Sequence, residues 1–228
     1  MKIAILNCSS GHEKLAHHGS PADLIQGWLT PHCAEAVFTQ INIAGGAPFP
    51  AVDEFDGVVI SGSEKGVYDE CEWMQPLKDY LQTLRRQQVP VFGICFGHQI
   101  MAETWGGKAV KAEYGFVVGA REYTDGDNTY SAYAMHKDQV VTVPESATVT
   151  ASTAYCPVAA LRYNFPALSV QFHPEFTTPL VVEAIEAFDG DLLTADEANV
   201  SRESMKDSSV QQSLYTREAV EFFRQNVR

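Results

Sequence analysis

Three apolar runs in the first half of the chain, Ile3-Ala4-Ile5-Leu6, Val58-Val59-Ile60 and Val91-Phe92-Gly93-Ile94, are each only a few residues long and contain no polar residue. A half-exposed strand would alternate and a buried helix would run longer, so these read as strands covered on both faces. Between them apolar residues recur at helical spacing: Leu24, Ile25 and Trp28 before Pro31, then Leu77, Tyr80, Leu81 and Leu84. Ser20 is placed to cap the first of these helices, with Pro21 at its first position and Asp23 at its third. Val37 to Ile43 adds another strand. The order β-α-β-α-β-α-β in outline is that of a parallel sheet with helices packed on it.

Beyond Gly106-Gly107, which reads as a helix C-cap, the style changes to Val- and Thr-rich segments: Gly115 to Tyr123, Val140 to Val143, Ala147 to Ser152 and Val158 to Tyr163. These are expected to be mainly antiparallel strands extending the same sheet. Ala167 to Phe172 returns to a buried-strand composition, and a helix follows from Thr178. The polar, acidic segment 189–213 reads as a surface excursion or a poorly ordered stretch, ahead of a terminal helix over 214–228. The expectation is a single α/β domain over 1–228, with an open mixed, mostly parallel central sheet and helices on both faces.

Composition narrows the partners. A formal charge of −13 with no run of Lys or Arg would repel a phosphate backbone, so neither nucleic acid nor an anionic membrane is an expected partner. Five widely spaced cysteines with no C-x-x-C pair suggest neither a disulfide framework nor a zinc site, and fit a reducing cytoplasm. The start MKIAILNCSS has no basic region followed by a long apolar segment, which points to a soluble, unprocessed chain.

The third apolar run ends in Gly93-Ile94-Cys95-Phe96-Gly97 and passes directly into helical spacing. A core cysteine needs no glycines. A nucleophile elbow does, because the sharp strand-to-helix turn that lifts the reactive side chain out of the sheet brings neighbouring Cβ positions into collision. The thiol then lies at a helix N-terminus, where the dipole favours a thiolate. The N–H of Phe96 is directed to where an oxyanion would form.

Such a nucleophile wants a base, and the base an orienting acceptor. Of seven histidines, His17 and His18 lie in a Gly/Ser-flanked loop and read as exposed polar residues; His12 and His32 border turns; His98 is one turn along the elbow helix; His136 falls in an expected turn before a strand. His173 follows the buried run Leu168 to Phe172, so it should emerge at a strand end, where open α/β sheets collect ligands. Glu175 lies two residues on, across Pro174, and can hold the imidazole tautomer.

Gly93-Ile94-Cys95-Phe96-Gly97-His98-Gln99 together with His173-Pro174-Glu175 resembles the triad signature of class I glutamine amidotransferases, with a flavodoxin-like core implied. The likeness runs from Met1 to about Phe188. Val59-Ile60-Ser61-Gly62-Ser63, Val67-Tyr68-Asp69 and His136-Lys137-Asp138-Gln139-Val140 are most similar to stand-alone proteins related to the glutaminase domain of GMP synthase, a branch that plant γ-glutamyl peptidases also resemble.

The resemblance implies that Cys95 attacks the γ-carboxamide of glutamine to give a γ-glutamyl thioester, that His173 moves the protons, and that Glu175 orients it. Phe96 N–H and a backbone N–H at Gly62 or Ser63 would form the oxyanion hole. Gln99, Met135 and Lys137 fall where the family contacts the substrate's amino-acid end. Where the family often has Gly-Gly-Pro, this chain has Gly62-Ser63-Glu64, which brings a negative charge near the site. No metal or organic cofactor is implied. The chain has no G-x-x-x-x-G-K-[ST] loop, so released ammonia would go to a separate synthetase subunit or be discarded. Two alternatives stand beside a glutaminase: an independent γ-glutamyl peptidase, and a non-catalytic binding or redox-sensing module.

Overall fold

The computed structural model describes residues 1–126, 128–206, 210 and 212–227. In chain order the elements are β1 (Lys2–Asn7), α1 (Pro21–Leu29), β2 (Val37–Asn42), β3 (Gly57–Ile60), α2 (Met74–Arg86), β4 (Val91–Ile94), α3 (Phe96–Thr104), β5 (Lys108–Lys111), β6 (Val117–Asp125), β7 (Asn128–His136), β8 (Asp138–Thr142), β9 (Ala147–Thr153), β10 (Cys156–Tyr163), β11 (Ala167–Val170), α4 (Thr178–Phe188), α5 (Ala195–Lys206) and α6 (Gln212–Asn226).

Nine strands form one sheet in the order β2-β1-β3-β4-β11-β10-β9-β6-β7. The first five are parallel, and β10 and β6 run against the rest, so the sheet is mixed and mostly parallel with an antiparallel flank. The apolar runs are buried on both sides, as a parallel sheet between helices requires. Ile3, Ile5 and Phe92 pack with Ile25 and Leu29 of α1 and Val220 and Phe223 of α6 on one face. Ala4, Leu6 and Ile60 pack with Leu77, Leu81 and Leu84 of α2 and Ile100 and Met101 of α3 on the other. Ser20 caps α1 in a full capping box with Asp23.

The structure corrects the sequence reading in four places. No helix links β2 to β3: the chain crosses through Gly45-Gly46-Ala47-Pro48-Phe49-Pro50, where two prolines and a glycine at φ +83° oppose a helix. Val140 to Val143 does not extend the main sheet, because β8 pairs with β5 in a separate ribbon whose Ala109 and Val140 join the core beside α3. His136 is not in a turn but ends β7, pairing with Val117 of β6.

The fourth correction concerns 189–213, which carries helix α5. Thr194 and Glu197 cap it reciprocally, with Glu197 N–H donating to Thr194 Oγ1 (3.2 Å) and Thr194 N–H to Glu197 Oε2 (2.8 Å). Its inward residues are small, Ala198 and Ser201, so it lies close on β6, where Gly119 at φ +111° has Ser201 O within 3.2 Å of where a Cβ would stand. An apolar-stripe criterion misses such a helix. Residues 207–209 and 211 of that segment, and 228 of the expected terminal helix, lie outside the described residues.

Candidate active site

Cys95 joins β4 to α3 with φ +53° and ψ −103°, a backbone conformation that L-residues rarely adopt. Strain of this kind costs roughly 1–3 kcal/mol and persists only where the surroundings impose it. Here its N–H donates to Val170 O (2.8 Å), and its carbonyl accepts from Gln99 N–H (3.1 Å). The flanking glycines are needed for contact. A Cβ on Gly93 would lie 2.7 Å from the Gly97 carbonyl, and one on Gly97 would lie 2.5 Å from Ile60 O.

His173 comes three residues after β11, the neighbour of β4, and its N–H donates to Tyr133 O of β7 (2.8 Å). Its ring is fixed from two directions. Nδ1 donates to Glu175 Oε1 at 2.7 Å, and the ring stacks on Phe176 with centroids 3.9 Å apart and planes 9° apart. With Nδ1 held by Glu175, Nε2 is the ring nitrogen left for Cys95, and Glu175 Oε2 has no hydrogen-bond partner. Cys95 Sγ donates to Met135 O at 3.8 Å. Cys95 and His173 are both buried, each keeping 5% of its surface exposed.

Burial opposes charging His173, but Glu175 and Cys95, each by electrostatic attraction and by a side-chain hydrogen bond, more than reverse this and raise its pKa. The neighbouring histidines behave oppositely. Burial pushes His136 down to about 3, with His173 adding repulsion, and pushes His98 down to about 4. His136 donates from Nδ1 to Asp138 O (3.2 Å), and its Nε2 faces Tyr155 Oη (3.4 Å). His98 donates from Nε2 to Val158 O (3.1 Å) and accepts from Ser169 Oγ at Nδ1 (2.8 Å). Both are neutral supports under the site.

Gly62 follows β3 on the other side of Cys95. A Cβ there would lie 3.1 Å from His173 Cε1 and 3.7 Å from Cys95 Cβ, so Gly62 lies against both. Ser61 Oγ holds this loop, accepting from Cys8 N–H (2.9 Å) and donating to Gly62 O (2.8 Å). Ser63 is half-buried. Glu64 is directed outward, its carboxylate accepting from Ser9 Oγ (2.8 Å) and Ser10 N–H (3.4 Å). Phe96 is the first residue of α3, so its N–H has no intrahelical acceptor.

The remaining residues singled out in the sequence have separate surroundings. Gln99 is buried, and its side-chain amide donates to Asp138 O (3.0 Å) and Gln171 Oε1 (3.2 Å), tying α3 to the start of β8. Met135 contributes its carbonyl beside the sulfur. Lys137 is exposed, and its carbonyl accepts from Ala112 N–H (2.8 Å). The sequence reading missed Phe176 and Tyr133, and the two motif residues Tyr68 and Asp138 meet, the Tyr68 hydroxyl donating to Asp138 Oδ1 at 3.0 Å. Phe176, next to Glu175, was the one visible from its neighbours.

Residues 36–183 match the family described as glutamine amidotransferase class-I. Gamma-glutamyl peptidase 3 of Arabidopsis thaliana is 32% identical over 150 residues, 59% of this chain and 60% of that protein. A glutamine-hydrolyzing GMP synthase subunit of Methanocaldococcus jannaschii is 30% identical over 131 residues, 54% of this chain and 65% of that protein. The chain thus spans about three fifths of the length of these curated relatives. A glutamine amidotransferase of Thermotoga maritima superposes with a TM-score of 0.78 at 15% identity, covering 100% of this chain and 98% of that one, which is a likeness of fold. With the family match running from β2 into α4 and enclosing the elbow, the imidazole and the carboxylate, the chain belongs to the class I glutamine amidotransferases.

Proposed function

We propose that this chain hydrolyses γ-glutamyl amides, glutamine first among them, with Cys95 as nucleophile, His173 as proton carrier and Glu175 as its orienting acceptor. The observation that carries the reading is the strained Cys95 elbow beside an imidazole whose Nδ1 is taken by Glu175, which leaves Nε2 for the sulfur.

Cys95 Sγ forms a bond to the γ-carbonyl carbon, and the carbonyl electrons move to oxygen, which accepts from Phe96 N–H and a backbone N–H at Gly62 or Ser63. Removing one such donor typically costs about 2.7–4 kcal/mol of barrier lowering. His173 Nε2, which takes the thiol proton of Cys95 as the sulfur attacks, gives that proton to the departing nitrogen as the C–N bond breaks. That leaves a γ-glutamyl thioester. Water then attacks the thioester carbon while Nε2 takes its proton, and the sulfur leaves as glutamate is released. Gln99, Met135 and Lys137 would frame the amino-acid end of the substrate. The reading treats 1–228 as one domain in a reducing, cytoplasmic setting. Among the described residues no helix is long and apolar enough to cross a membrane.

Ammonia made here would pass to a separate synthetase protein, as the likeness to the Methanocaldococcus jannaschii GMP synthase subunit supports. A second reading, a γ-glutamyl peptidase acting alone, is favoured by the three Arabidopsis γ-glutamyl peptidases at 30–33% identity and by Gly62-Ser63-Glu64 in the oxyanion loop. One experiment tests both: purified protein is incubated with glutamine and a panel of γ-glutamyl peptides, and released ammonia or amine is measured. Turnover lost in Cys95→Ala supports hydrolysis, and the preferred substrate chooses between the readings. Full activity in Cys95→Ala rejects both.

A further inference from the structure

His17 and His18 end a 3-10 helix, Glu13–His18, that packs on α4, and the fold brings both to one carboxylate far along the chain. His17 Nε2 lies 2.8 Å and His18 Nε2 3.0 Å from the same atom, Glu183 Oε2. The two rings are 4.2 Å apart between centroids and tilted by 39°, so side chains adjacent in sequence converge instead of diverging. Among the described residues this is the only group of three His, Cys, Asp or Glu side chains whose ligating atoms all lie within 4.8 Å of one another.

We propose that His17, His18 and Glu183 bind one divalent transition-metal ion of the zinc type, through both Nε2 atoms and a carboxylate oxygen. Two imidazole nitrogens and one carboxylate suit zinc, nickel or copper, whereas magnesium and calcium prefer all-oxygen surroundings. Zn–N and Zn–O bonds of about 2.0–2.2 Å in a tetrahedron put neighbouring ligand atoms roughly 3.3–3.5 Å apart. The observed contacts need to open by only about half an ångström to admit the ion. Exposed His17 and Glu183 can make that adjustment by side-chain rotation, and water completes the coordination.

The 3-10 helix fully buries none of its residues and is otherwise tied to α4 by Leu15, packed against the apolar cluster of α4, and by Lys14 Nζ, which donates to Ala187 O at 2.8 Å. An ion at this point would clamp the loop after β1 to the helix that follows Glu175. Its effect is therefore expected on stability and not on the chemistry at Cys95.

The test uses the full chain without a histidine tag, in a Cys95→Ser background so that the sulfur cannot take the metal. Titration with zinc chloride by calorimetry should show one saturable equivalent, and saturation should raise Tm by about 5 °C or more. Glu183→Gln and the double variant His17→Ala/His18→Ala should weaken binding about tenfold or more, and abolish the visible absorption of added Co2+. Because Glu183 is exposed, Glu183→Gln gives an answer even if the double histidine variant fails to fold. Absence of saturable binding, or binding and Co2+ spectra unchanged in Glu183→Gln, overturns the proposal.

Discussion

Glu175 Oε1 accepts from His173 Nδ1 at 2.7 Å across a single proline, and this contact decides which imidazole nitrogen carries the proton. Glu175→Gln keeps the shape but removes the charge. On the proposed reading, turnover should fall by about 10²–10⁴-fold, since the wrong tautomer then presents its N–H toward the sulfur. Steady-state rates on the best substrate, with circular dichroism to show an unchanged fold, check this.

The same pair has a signature in stability. His173 has a raised pKa in the folded chain, so its contribution is fully present below the unfolded value of about 6.5 and is lost as pH rises through the folded value. The difference in Tm between wild type and Glu175→Gln should therefore be largest near pH 6 and shrink toward alkaline pH. A constant difference across that range would count against the charge-based account.

His98 and His136 predict the opposite slope on the acid side. Both are held neutral by burial, with pKa values pushed to about 4 and about 3, while the unfolded chain protonates them near 6.5. Below that pH the unfolded state binds more protons, so stability falls, by up to about 1.4 kcal/mol per pH unit for each histidine. Urea unfolding of wild type and His98→Gln between pH 7 and 4.5 should show a shallower acid loss in the variant.

Gly97→Ala sets two effects against each other. Alanine improves helix propensity by up to about 1 kcal/mol, but the new Cβ would lie 2.5 Å from Ile60 O, a backbone atom that cannot swing aside. The clash should win, with a net loss of about 1–3 kcal/mol, read as a Tm lower by several degrees together with reduced Cys95 reactivity toward iodoacetamide.

Thr194→Ala removes the cap of α5 far from the sulfur. A loss of about 1 kcal/mol and a Tm lower by roughly 2–4 °C is expected, with substrate turnover unchanged.

The parallel half of the sheet was legible because each of its central strands is an unbroken apolar run, and the elbow because glycines at 93 and 97 have a steric reason to be there. Cys95 and His173 were each legible as leaving a strand end, whereas the adjacency of β4 and β11 was not. What escaped the sequence lacked a periodic apolar signal. β7, Asn128–His136, mixes Tyr, Ala and Ser; α5 turns only Ala198 and Ser201 inward; and the pairing of β5 with β8 depends on α3 offering them a surface. Thr194-x-x-Glu197 was a readable capping signal for α5. The meeting of His17 and His18 with Glu183 was not readable, since nothing local in either segment refers to the other.

β4 and β11 are paired in register, Ile94 with Val170, and the sulfur and the imidazole leave the sheet one and three residues later. The main-chain ladder therefore brings the two residues out of neighbouring strands, and Glu175 and Phe176 then set the ring. On the proposed reading no hinge has to close to bring sulfur and imidazole together, and the loops after β3 and β7 can vary while the strand register stays.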